Sequence, residues 1–390
     1  MPLANRYLTA ADLAAGRDQP HPLHTRVCSA CLLVQADAPV SPEAIFSDYA
    51  YFSSYSDSWV EHARHFAHQM ISRLALDSAS QVVEVGSNDG YLLQHFVAAG
   101  VPVLGIDPAA NIAKVACAEH VQTEIAFFSS QTAHRLAAKG ITADLIAANN
   151  VLAHVPDIGD FVRGFSILLK PEGLATFEFP HILNLIRELQ FDTIYHEHFS
   201  YLSLVTVERI LAAAGLRAFD VEELPTHGGS LRLYVCHAAA HHAQTPRLGA
   251  LRAKEQAAQL DELAGYLNFA DTVATVKRSF LDFLACARAD GKRIAAYGAA
   301  AKGATFLNVC GTGTEDIICV FDRSPAKQGK FLPGSHIPIH APQDILGVKP
   351  DYLLILPWNL SAEIRSQMAF IGDWGGEFVT TLPTTRSFPP

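Results

Sequence analysis

The sequence predicts an α/β protein built on a doubly wound, Rossmann-like parallel sheet, with a second, smaller Rossmann-like α/β domain and a small N-terminal lobe. Short apolar runs alternate with amphipathic stretches between residues 81 and 180, which is the pattern of successive βα units. The same alternation returns after residue 290, beyond a stretch typical of long helices. A chain of 390 residues, 49% hydrophobic and 17% charged, is long enough for two or three globular domains.

The first elements are a polar segment and a long helix. Residues 1–48 contain prolines around a cysteine pair, and they are predicted to form the N-terminal lobe. Beyond them, apolar residues recur at helical spacing from Trp59 through Phe66 to Leu74. This spacing predicts a helix with one buried face, leading into the first strand.

The two sheets are predicted from apolar runs of strand length. In the first domain, residues 49–244, these runs lie at 81–86, 101–107, 143–149, 174–179 and 231–236. Residues 245–289 contain few Gly or Pro and many Ala, Leu, Glu and Lys, which predicts a helical bridge. In the second domain, residues 290–390, the apolar runs lie at 293–298, 316–321 and 352–356.

Charge and composition disfavour several classes of function. With 29 basic and 39 acidic residues the net charge is −10, which offers no broad cationic surface for nucleic acid or an anionic membrane. The N-terminus lacks a basic and apolar leader, and no apolar run approaches the roughly 20 residues that span a bilayer. Of seven cysteines only Cys28 and Cys31 lie close together, which is no disulfide framework. We therefore expect a cytoplasmic protein, either a monomer or a weak homo-oligomer.

The segment 82–90, VVEVGSNDG, carries the clearest motif. Glu84 lies on the predicted strand, Gly86 ends it and Gly90 follows four residues later, so the chain can turn closely into the next helix. Asp107 ends the next strand, where a carboxylate can accept both hydroxyls of a ribose.

The polar residues of this loop favour one nucleoside ligand over another. Asn88 and Asp89 suit a pyrophosphate poorly, and a dinucleotide site would need Gly-x-Gly-x-x-Gly. S-adenosylmethionine has a ribose, an amine and a sulfonium but no phosphate, so we predict a class I methyltransferase fold in which Asn149, at the end of a later strand, also borders the methyl donor. The alternative is a plain strand-to-helix turn with Asp107 as a surface cap.

Further motifs resemble those of the sugar C-methyltransferases of deoxysugar biosynthesis, which include the tetronitrose 3-C-methyltransferase. The match spans nearly the whole chain and preserves the order of the motifs. They are YAYFSSYS at 49–56, NNVLAH at 149–154, YHEHFSY at 195–201, HGGSLR at 227–232, YGAAAKG at 297–303, KQGK at 327–330 and PWN at 357–359.

The resemblance implies an enzyme that moves the methyl group of S-adenosylmethionine to a carbon beside the ketone of a nucleotide-linked, dTDP-type 4-keto-deoxysugar. It also implies that the small-molecule substrate lies between the methyl-donor domain and the C-terminal domain. Members of the family carry two Cys-x-x-Cys pairs for zinc, whereas this sequence has only Cys28 and Cys31, so we expect a truncated zinc lobe. Two thiolates leave a structural zinc two ligands short. His21 and His24 could complete the set but do not match the family pattern.

The resemblance assigns catalysis to the YHEH string. His198 is the base that removes the α-proton, and Glu197 is the neighbour that orients it. Tyr195 and Tyr51 donate hydrogen bonds to the keto oxygen as negative charge develops there. The alternative is that this histidine-rich string is only a surface turn.

The expected substrate contacts come from both domains. Asn150 and His154 lie four residues apart and so share one face of a helical turn. Lys302, in a small-residue turn after a strand, could bind a pyrophosphate. The remaining candidates are Ser56, His196 and Arg232. Capping by Asn150, packing by His154 and an exposed Lys302 are the structural alternatives.

Two other functions remain open at this point. One is an O- or N-methyltransferase of small molecules, in which the base deprotonates a hydroxyl or merely positions an amine. The other is a non-catalytic protein that retains the fold and a sugar-nucleotide site. Transfer of a labelled methyl group to carbon separates all three.

Overall fold

The computed structural model describes residues 1–47 and 52–390. Strands and helices are each numbered in chain order. The strands are β1 (Thr25–Val27), β2 (Val34–Ala36), β3 (Val82–Val85), β4 (Val103–Asp107), β5 (Thr123–Ile125), β6 (Ala143–Asn149), β7 (Leu169–Pro180), β8 (Ser200–Tyr201), β9 (Leu216–Leu224), β10 (Ser230–His237), β11 (Ile294–Tyr297), β12 (Val320–Phe321), β13 (Ile339–His340), β14 (Tyr352–Ile355), β15 (Glu377–Thr380) and β16 (Arg386–Phe388). The helices are α1 (Ala10–Ala14), α2 (Pro42–Phe46), α3 (Asp57–Leu74), α4 (Leu93–Ala98), α5 (Ala110–Ala118), α6 (Ser130–Ala138), α7 (Ile158–Leu168), α8 (Ile182–Arg187), α9 (Leu204–Ala213), α10 (Pro246–Ala257), α11 (Phe269–Ala289), α12 (Ala301–Cys310), α13 (Ile345–Val348) and α14 (Ser361–Gln367).

The large sheet has the strand order β5-β4-β3-β6-β7-β10-β9. The strands from β5 to β7 run parallel, and β10 is antiparallel to both of its neighbours. This order, with one reversed strand near the edge, is that of the class I methyltransferases, so the predicted fold class is confirmed. The order reverses between β3 and β6, which is where ligands bind in open α/β sheets.

Both faces of the large sheet are covered, as a parallel sheet requires. Alternate side chains of β3 point to opposite faces, so Val83 joins a core that includes Phe165 and Phe177. Val82 joins the opposite core, which includes Phe66 of helix α3. The helix predicted from Trp59 onward therefore forms and buries its apolar face.

The C-terminal domain contains a six-stranded sheet with the order β13-β12-β11-β14-β15-β16. Its strands are parallel except for β16, which pairs antiparallel with β15. The two edge strands β13 and β16 are absent from the sequence prediction because they are short and partly exposed. Within the described residues, no helix is both long and apolar enough to cross a membrane.

The two long helices between the sheets belong to different cores. Leu248 and Leu251 of α10 pack into the core of the large sheet. Phe280 and Leu284 of α11 pack into the core of the C-terminal sheet. The stretch predicted as a bridge thus contributes one helix to each domain.

The N-terminal residues contact both domains. Strands β1 and β2 form a three-stranded sheet with β8 of the methyltransferase domain. On the other side, Leu8 pairs with Phe331 of the C-terminal domain, and Asp18 accepts a hydrogen bond from the backbone N–H of Gly334. The N-terminal segment therefore ties the two larger domains together.

Glu255 of α10 is a buried carboxylate that fixes the start of helix α9. It is 2% exposed, and its oxygens accept from the backbone N–H groups of Leu204 and Val205 and lie 2.7 Å from His181 Nε2. We expect Glu255→Gln to lower the free energy of unfolding by roughly 1–3 kcal/mol, because the amide NH2 would face donors that need an acceptor. Urea denaturation measures this loss. The exposed Glu262→Gln serves as the control and should leave the unfolding midpoint unchanged.

Candidate active site

The methyl-donor loop begins where β3 ends. Gly86 has φ +71° and a Cβ there would lie 2.3 Å from Val151 Cγ2, so only glycine fits this turn. Gly90 also has a positive φ of 83°, and a Cβ there would lie 3.0 Å from Val121 Cγ2. The positive φ therefore favours glycine at this position, and a side chain there would also press against Val121.

Asp107 lies at the carboxyl end of β4, beside this loop, and is 7% exposed. Its Oδ2 accepts from the backbone N–H of Asn88 at 3.0 Å, and its Oδ1 accepts from that of Ala109 at 2.9 Å. Because each carboxylate oxygen has two acceptor sites, both can still accept a hydroxyl. Asp107 can therefore hold a ribose while it shapes the loop.

The side chains of Asn88 and Asp89 bind a neighbouring segment of the chain. Asn88 Oδ1 accepts from the backbone N–H of Ser53, and Asp89 Oδ2 accepts from that of Ser54. These bonds place the segment before α3 across the donor loop. Ser56, predicted to bind substrate, caps α3 instead, because its Oγ accepts from Trp59 N at 3.3 Å.

Several buried polar atoms around the loop have no hydrogen-bond partner among the described residues. They are Ser87 Oγ, Asp89 Oδ1 and Asn149 Oδ1. Beneath them, burial raises the pKa of Glu84 well above its ordinary range. These buried acceptors without partners lie where the strand order reverses, between β3 and β6. They fit a ligand with amine and hydroxyl donors, as S-adenosylmethionine has.

The imidazole of His198 is oriented by a backbone carbonyl. Its Nδ1 lies 2.7 Å from the carbonyl oxygen of Thr193, and since a carbonyl can only accept, Nδ1 carries the proton. The other nitrogen, Nε2, then holds a lone pair. Burial, followed by the charge of His154, lowers the pKa of His198 well below its ordinary value, so this imidazole is neutral and can act as a base.

Other predicted site residues surround His198. The ring of Tyr195 lies 4.2 Å from the His198 ring, centroid to centroid, and the ring of His154 lies 4.7 Å from it. Among the described residues, His154 Nδ1 and both polar side-chain atoms of Asn150 have no hydrogen-bond partner. Asn150 also has φ 56°, a conformation often kept at functional sites. Unpaired polar groups here are available to a substrate.

Two residues of the YHEH string contact the N-terminal segment. Glu197 Oε1 accepts from Asn5 Nδ2 at 2.7 Å. His196 points away from His198, because its Nε2 donates to the carbonyl of Pro22 at 3.0 Å. Residues 195–198 form a tight turn, closed by the bond from the His198 backbone N–H to the Tyr195 carbonyl. Glu197 and His196 both bind the N-terminal segment from this turn. Tyr51 lies outside the described residues.

Arg232 is part of a buried ion-pair network. Its Nη2 lies 2.6 Å from Glu178 Oε2, and His62 Nε2 lies 3.1 Å from both oxygens of that carboxylate. Burial would raise the pKa of Glu178, but His62 and Arg232 outweigh it and hold the pKa at about 2. Arg232, predicted to bind substrate, is therefore already paired within the protein.

Glu178 and His227 were not predicted from the sequence as site residues. Glu178 Oε1 accepts from Thr226 Oγ1 at 3.1 Å, which fixes the turn that carries His227 at φ 53°. Burial lowers the pKa of His227 to about 4. A glutamate inside the otherwise apolar run 174–179 was the signal that could have identified this network.

Lys302 is the residue of the C-terminal domain that lies at the boundary with the methyltransferase domain. Its Nζ donates to Asn359 Oδ1 at 2.7 Å and lies 4.5 Å from the ring centroid of Trp358. Burial lowers the pKa of Lys302, and the charge of Asp192 opposes this effect. Lys302 is thus a cation at the boundary between the two domains, where a nucleotide sugar was expected.

The pKa of His154 is low enough to be tested through the pH dependence of stability. Burial lowers the pKa of His154 to about 4, whereas an unfolded histidine titrates near 6.5. Between these values the unfolded chain binds the proton and the folded protein does not, so this group's contribution to stability is lost as pH falls from about 6.5 to 4. We expect the free energy of unfolding of the native protein to fall by roughly 2–3 kcal/mol relative to that of His154→Gln across that pH range. Denaturant unfolding curves of the two proteins measure this difference. An unchanged difference would contradict the pKa assignment.

The cysteine pair supplies two of the four ligands that a structural zinc needs. Within the described ranges, no group of three or more His, Cys, Asp or Glu side chains could hold a metal. Backbone N–H groups of Cys31 and Ala30 lower the pKa of the Cys28 thiol. His24 Nδ1 is paired with Asp37 Oδ2 at 2.7 Å.

We therefore expect the purified chain to hold well under one zinc ion per molecule, because two thiolates alone bind the metal weakly. Elemental analysis after dialysis against a mild chelator measures this content. One zinc retained per chain would contradict the prediction.

Three family models match the chain in succession. A zinc binding domain matches residues 1–46, a methyltransferase domain matches residues 59–221, and a C-methyltransferase C-terminal domain matches residues 225–383. C-methyltransferase NovU of Streptomyces niveus is 37% identical over 385 residues, which cover 99% of this chain and 91% of that protein. A ubiquinone biosynthesis O-methyltransferase of Bartonella bacilliformis is 31% identical over only 102 residues, covering 26% of this chain and 41% of that protein.

Solved structures align more loosely. Magnesium protoporphyrin IX methyltransferase of Synechocystis with bound SAH aligns with a TM-score of 0.37 at 16% identity, covering 46% of this chain and 83% of that one. A methyltransferase of Clostridium acetobutylicum also gives 0.37, at 11% identity, covering 46% and 92% of the two chains. Alignments of this quality support no functional argument.

The strand order and the donor loop define an S-adenosylmethionine-dependent methyltransferase. The match along nearly the whole length of NovU then identifies the group within that class. The chain belongs to the C-methyltransferase family and is an enzyme that transfers a methyl group to carbon.

Proposed function

We propose that this enzyme methylates a carbon adjacent to the ketone of a nucleotide-linked 4-keto-deoxysugar, with dTDP as the nucleotide. The observation that carries the proposal is the neutral imidazole of His198, whose Nδ1–H is bound to Thr193 and whose Nε2 is left as a proton acceptor. A carbon beside a ketone becomes a nucleophile only after a base has removed its proton. His198 is suited to this step because burial keeps it unprotonated.

The proposed reaction balances with the residues at hand. His198 Nε2 takes the α-proton, and the electron pair of the broken C–H bond moves onto the keto oxygen as an enolate. S-adenosylmethionine supplies the electrophilic methyl group, and its carbon–sulfur bond breaks as the new carbon–carbon bond forms. Asn150 offers a buried side-chain amide without a partner among the described residues, and its N–H can donate to the enolate oxygen. Tyr195 beside His198 and Tyr51 stay proposed donors to the same oxygen.

The nucleotide is proposed to bind at the boundary between the domains. Lys302 supplies a positive charge there, and Trp358 and Asn359 fix its position. A diphosphate would satisfy the partly buried ammonium better than an uncharged substrate would. We further propose that the enzyme acts in the cytosol as a monomer or weak homo-oligomer, in keeping with seven free thiols.

An O- or N-methyltransferase receives less support. The O-methyltransferase relatives match about a quarter of the chain, whereas the C-methyltransferase relative matches 99% of it.

Isotope-labelled S-adenosylmethionine and a dTDP-4-keto-6-deoxysugar test the proposal directly. We expect the labelled methyl group on a ring carbon next to the ketone, which carbon NMR of the product identifies. Label on oxygen, or turnover only with an acceptor that has no ketone, would contradict it. A 4-hydroxy sugar nucleotide is the matched control substrate and should remain unmethylated, because its neighbouring protons are not acidic.

A further inference from the structure

The short helical turn Phe191–Thr193 lies where the methyltransferase domain meets the C-terminal domain. The side chain of Phe191 is 4% exposed and belongs to the core of the C-terminal domain. Its ring lies 5.7 Å from that of Phe306, centroid to centroid. By sequence this turn belongs to the methyltransferase domain, but it is anchored in the C-terminal core.

Two polar contacts of the turn connect opposite sides of the active site. Asp192 Oδ2 accepts from the indole Nε1 of Trp358 at 2.8 Å, and the carbonyl of the next residue, Thr193, accepts from His198 Nδ1 at 2.7 Å. The Thr193 hydroxyl donates to the carbonyl of Gln190 at 2.7 Å, which stiffens the turn. A displacement of Asp192 would therefore move the carbonyl that orients His198.

Asp192 is an unusual residue to bury without a full set of partners. It is 1% exposed, and its Oδ1 has no hydrogen-bond partner within residues 1–47 and 52–390. Burial raises the pKa of Asp192 to about 7, and the charge of Lys302 and the bond from Trp358 oppose the rise. Both protonation states keep an oxygen that can accept from Trp358, so the contact persists across neutral pH.

We propose that Asp192 is a positioning residue, and that its hydrogen bond from Trp358 lets the C-terminal domain set the orientation and tautomer of the His198 imidazole. The inference rests on the proposed role of His198 as the base. It goes beyond that role because it gives the C-terminal domain a part in proton abstraction as well as in substrate binding.

Trp358 also has a packing role that the test must preserve. A Cβ on Gly228 would lie 2.3 Å from Trp358 Cη2, so the ring fills a tightly packed site. Trp358→Phe keeps an aromatic ring beneath Lys302 but removes the N–H donor. Asp192→Leu removes the acceptor at similar size, whereas Asp192→Asn retains a carbonyl oxygen that can accept.

The chain offers a matched control. The indole Nε1 of Trp374 donates to the carbonyl of Pro350 at 3.0 Å, in the same domain but in the core on the other face of its sheet. We expect Trp358→Phe and Asp192→Leu each to lower kcat by up to about 10²-fold, the size of effect that a misplaced catalytic group produces. Trp374→Phe should retain native kcat.

Three kinetic comparisons separate positioning from loss of binding. The KM for the keto sugar and the Kd for S-adenosylmethionine should change by less than about threefold in both variants. The double variant Asp192→Leu/Trp358→Phe should be no slower than the slower single variant, since both remove the same hydrogen bond. Asp192→Asn should recover most of kcat. Additive losses, or a loss confined to KM, would overturn the proposal.

A spectroscopic measurement decides the question without turnover. In protein labelled with ¹⁵N-histidine, the His198 signals are assigned by their absence from His198→Asn. They should show Nδ1–H in the native enzyme and a mixture of tautomers in Trp358→Phe and Asp192→Leu. An unchanged tautomer in both would overturn the positioning role. Full activity of His198→Asn would instead contradict the proposed base, while the tautomer result would still report on Asp192.

Discussion

Replacement of His198 by Asn is expected to lower turnover by about 10²–10⁴-fold, the usual contribution of a general base. The Asn side-chain amide can occupy the place of Nδ1 and donate to the Thr193 carbonyl, so the local fold should survive. What the variant lacks is the lone pair at Nε2. Binding of S-adenosylmethionine should be nearly unchanged, because Asp107 and the loop after β3 lie elsewhere.

The control for this experiment comes from the same string. His196 donates through Nε2 to the carbonyl of Pro22, and Gln at this position can make the same bond. We expect His196→Gln to keep turnover within the native order of magnitude. Native turnover in His198→Asn would remove His198 from the mechanism, and His154 would become the next candidate.

A second measurement with His198→Asn isolates proton transfer. With demethylated cofactor bound, the native enzyme should exchange the α-proton of the keto sugar with deuterated solvent, because abstraction does not require the methyl group. The variant should lose that exchange. Exchange at the native rate would contradict the assignment even if methyl transfer were slow.

Asp107→Ala is expected to weaken binding of S-adenosylmethionine by roughly 1.5–3 kcal/mol, the value of a hydrogen bond to a charged group. The substitution removes the carboxylate at the end of β4 and leaves the N–H groups of Asn88 and Ala109 without their acceptor. Titration calorimetry with both S-adenosylmethionine and its demethylated product measures the loss. Equal weakening of the two ligands would locate the effect in the part that they share, away from the transferred methyl group.

The second Rossmann-like domain contains a matched control for Asp107. Asp322 lies directly after β12, as Asp107 ends β4, and it accepts from the backbone N–H groups of Ala299 and Ser324. Asp322→Ala should disturb its own loop but leave binding of the methyl donor unchanged. If both variants lost binding alike, general loss of structure would explain the result better than a ribose contact.

The elements most accessible from sequence were buried, regular strands. The run 143–149 was predicted with the bounds that the structure gives β6, because its apolar residues are covered on both faces. Strand β9 was missed because it contains Asp220, Glu222 and Glu223, and the first two pair with Arg247. Charged residues on an edge strand interrupt its apolar pattern, so the strand is recognised only when their ion-pair partners are known. The domain limits remain predictions.

The candidate site was predicted less completely than the fold. The sequence motifs predicted that His198 and His154 belong to one site, and their rings are in contact in the structure. No sequence pattern indicates that the Glu197 carboxylate accepts from Asn5, because this contact depends on the tight turn at residues 195–198 and on the path of the N-terminal segment. Nothing in the string QFDT indicates that Phe191 enters the core of another domain or that Asp192 meets Trp358. Such contacts depend on how the domains pack.

The burial of Phe191 in the C-terminal core has a consequence for protein engineering. Recombination of domains between relatives is an obvious route to new acceptor specificity, with the crossover placed near residue 245. In such a chimaera the turn Phe191–Thr193 would face a foreign core, and the imidazole that it orients would shift with it. The exchange should therefore include residues 189–194 together with the C-terminal domain. Phe191 would then pack against the core from its own relative, and the turn that orients His198 would keep its position.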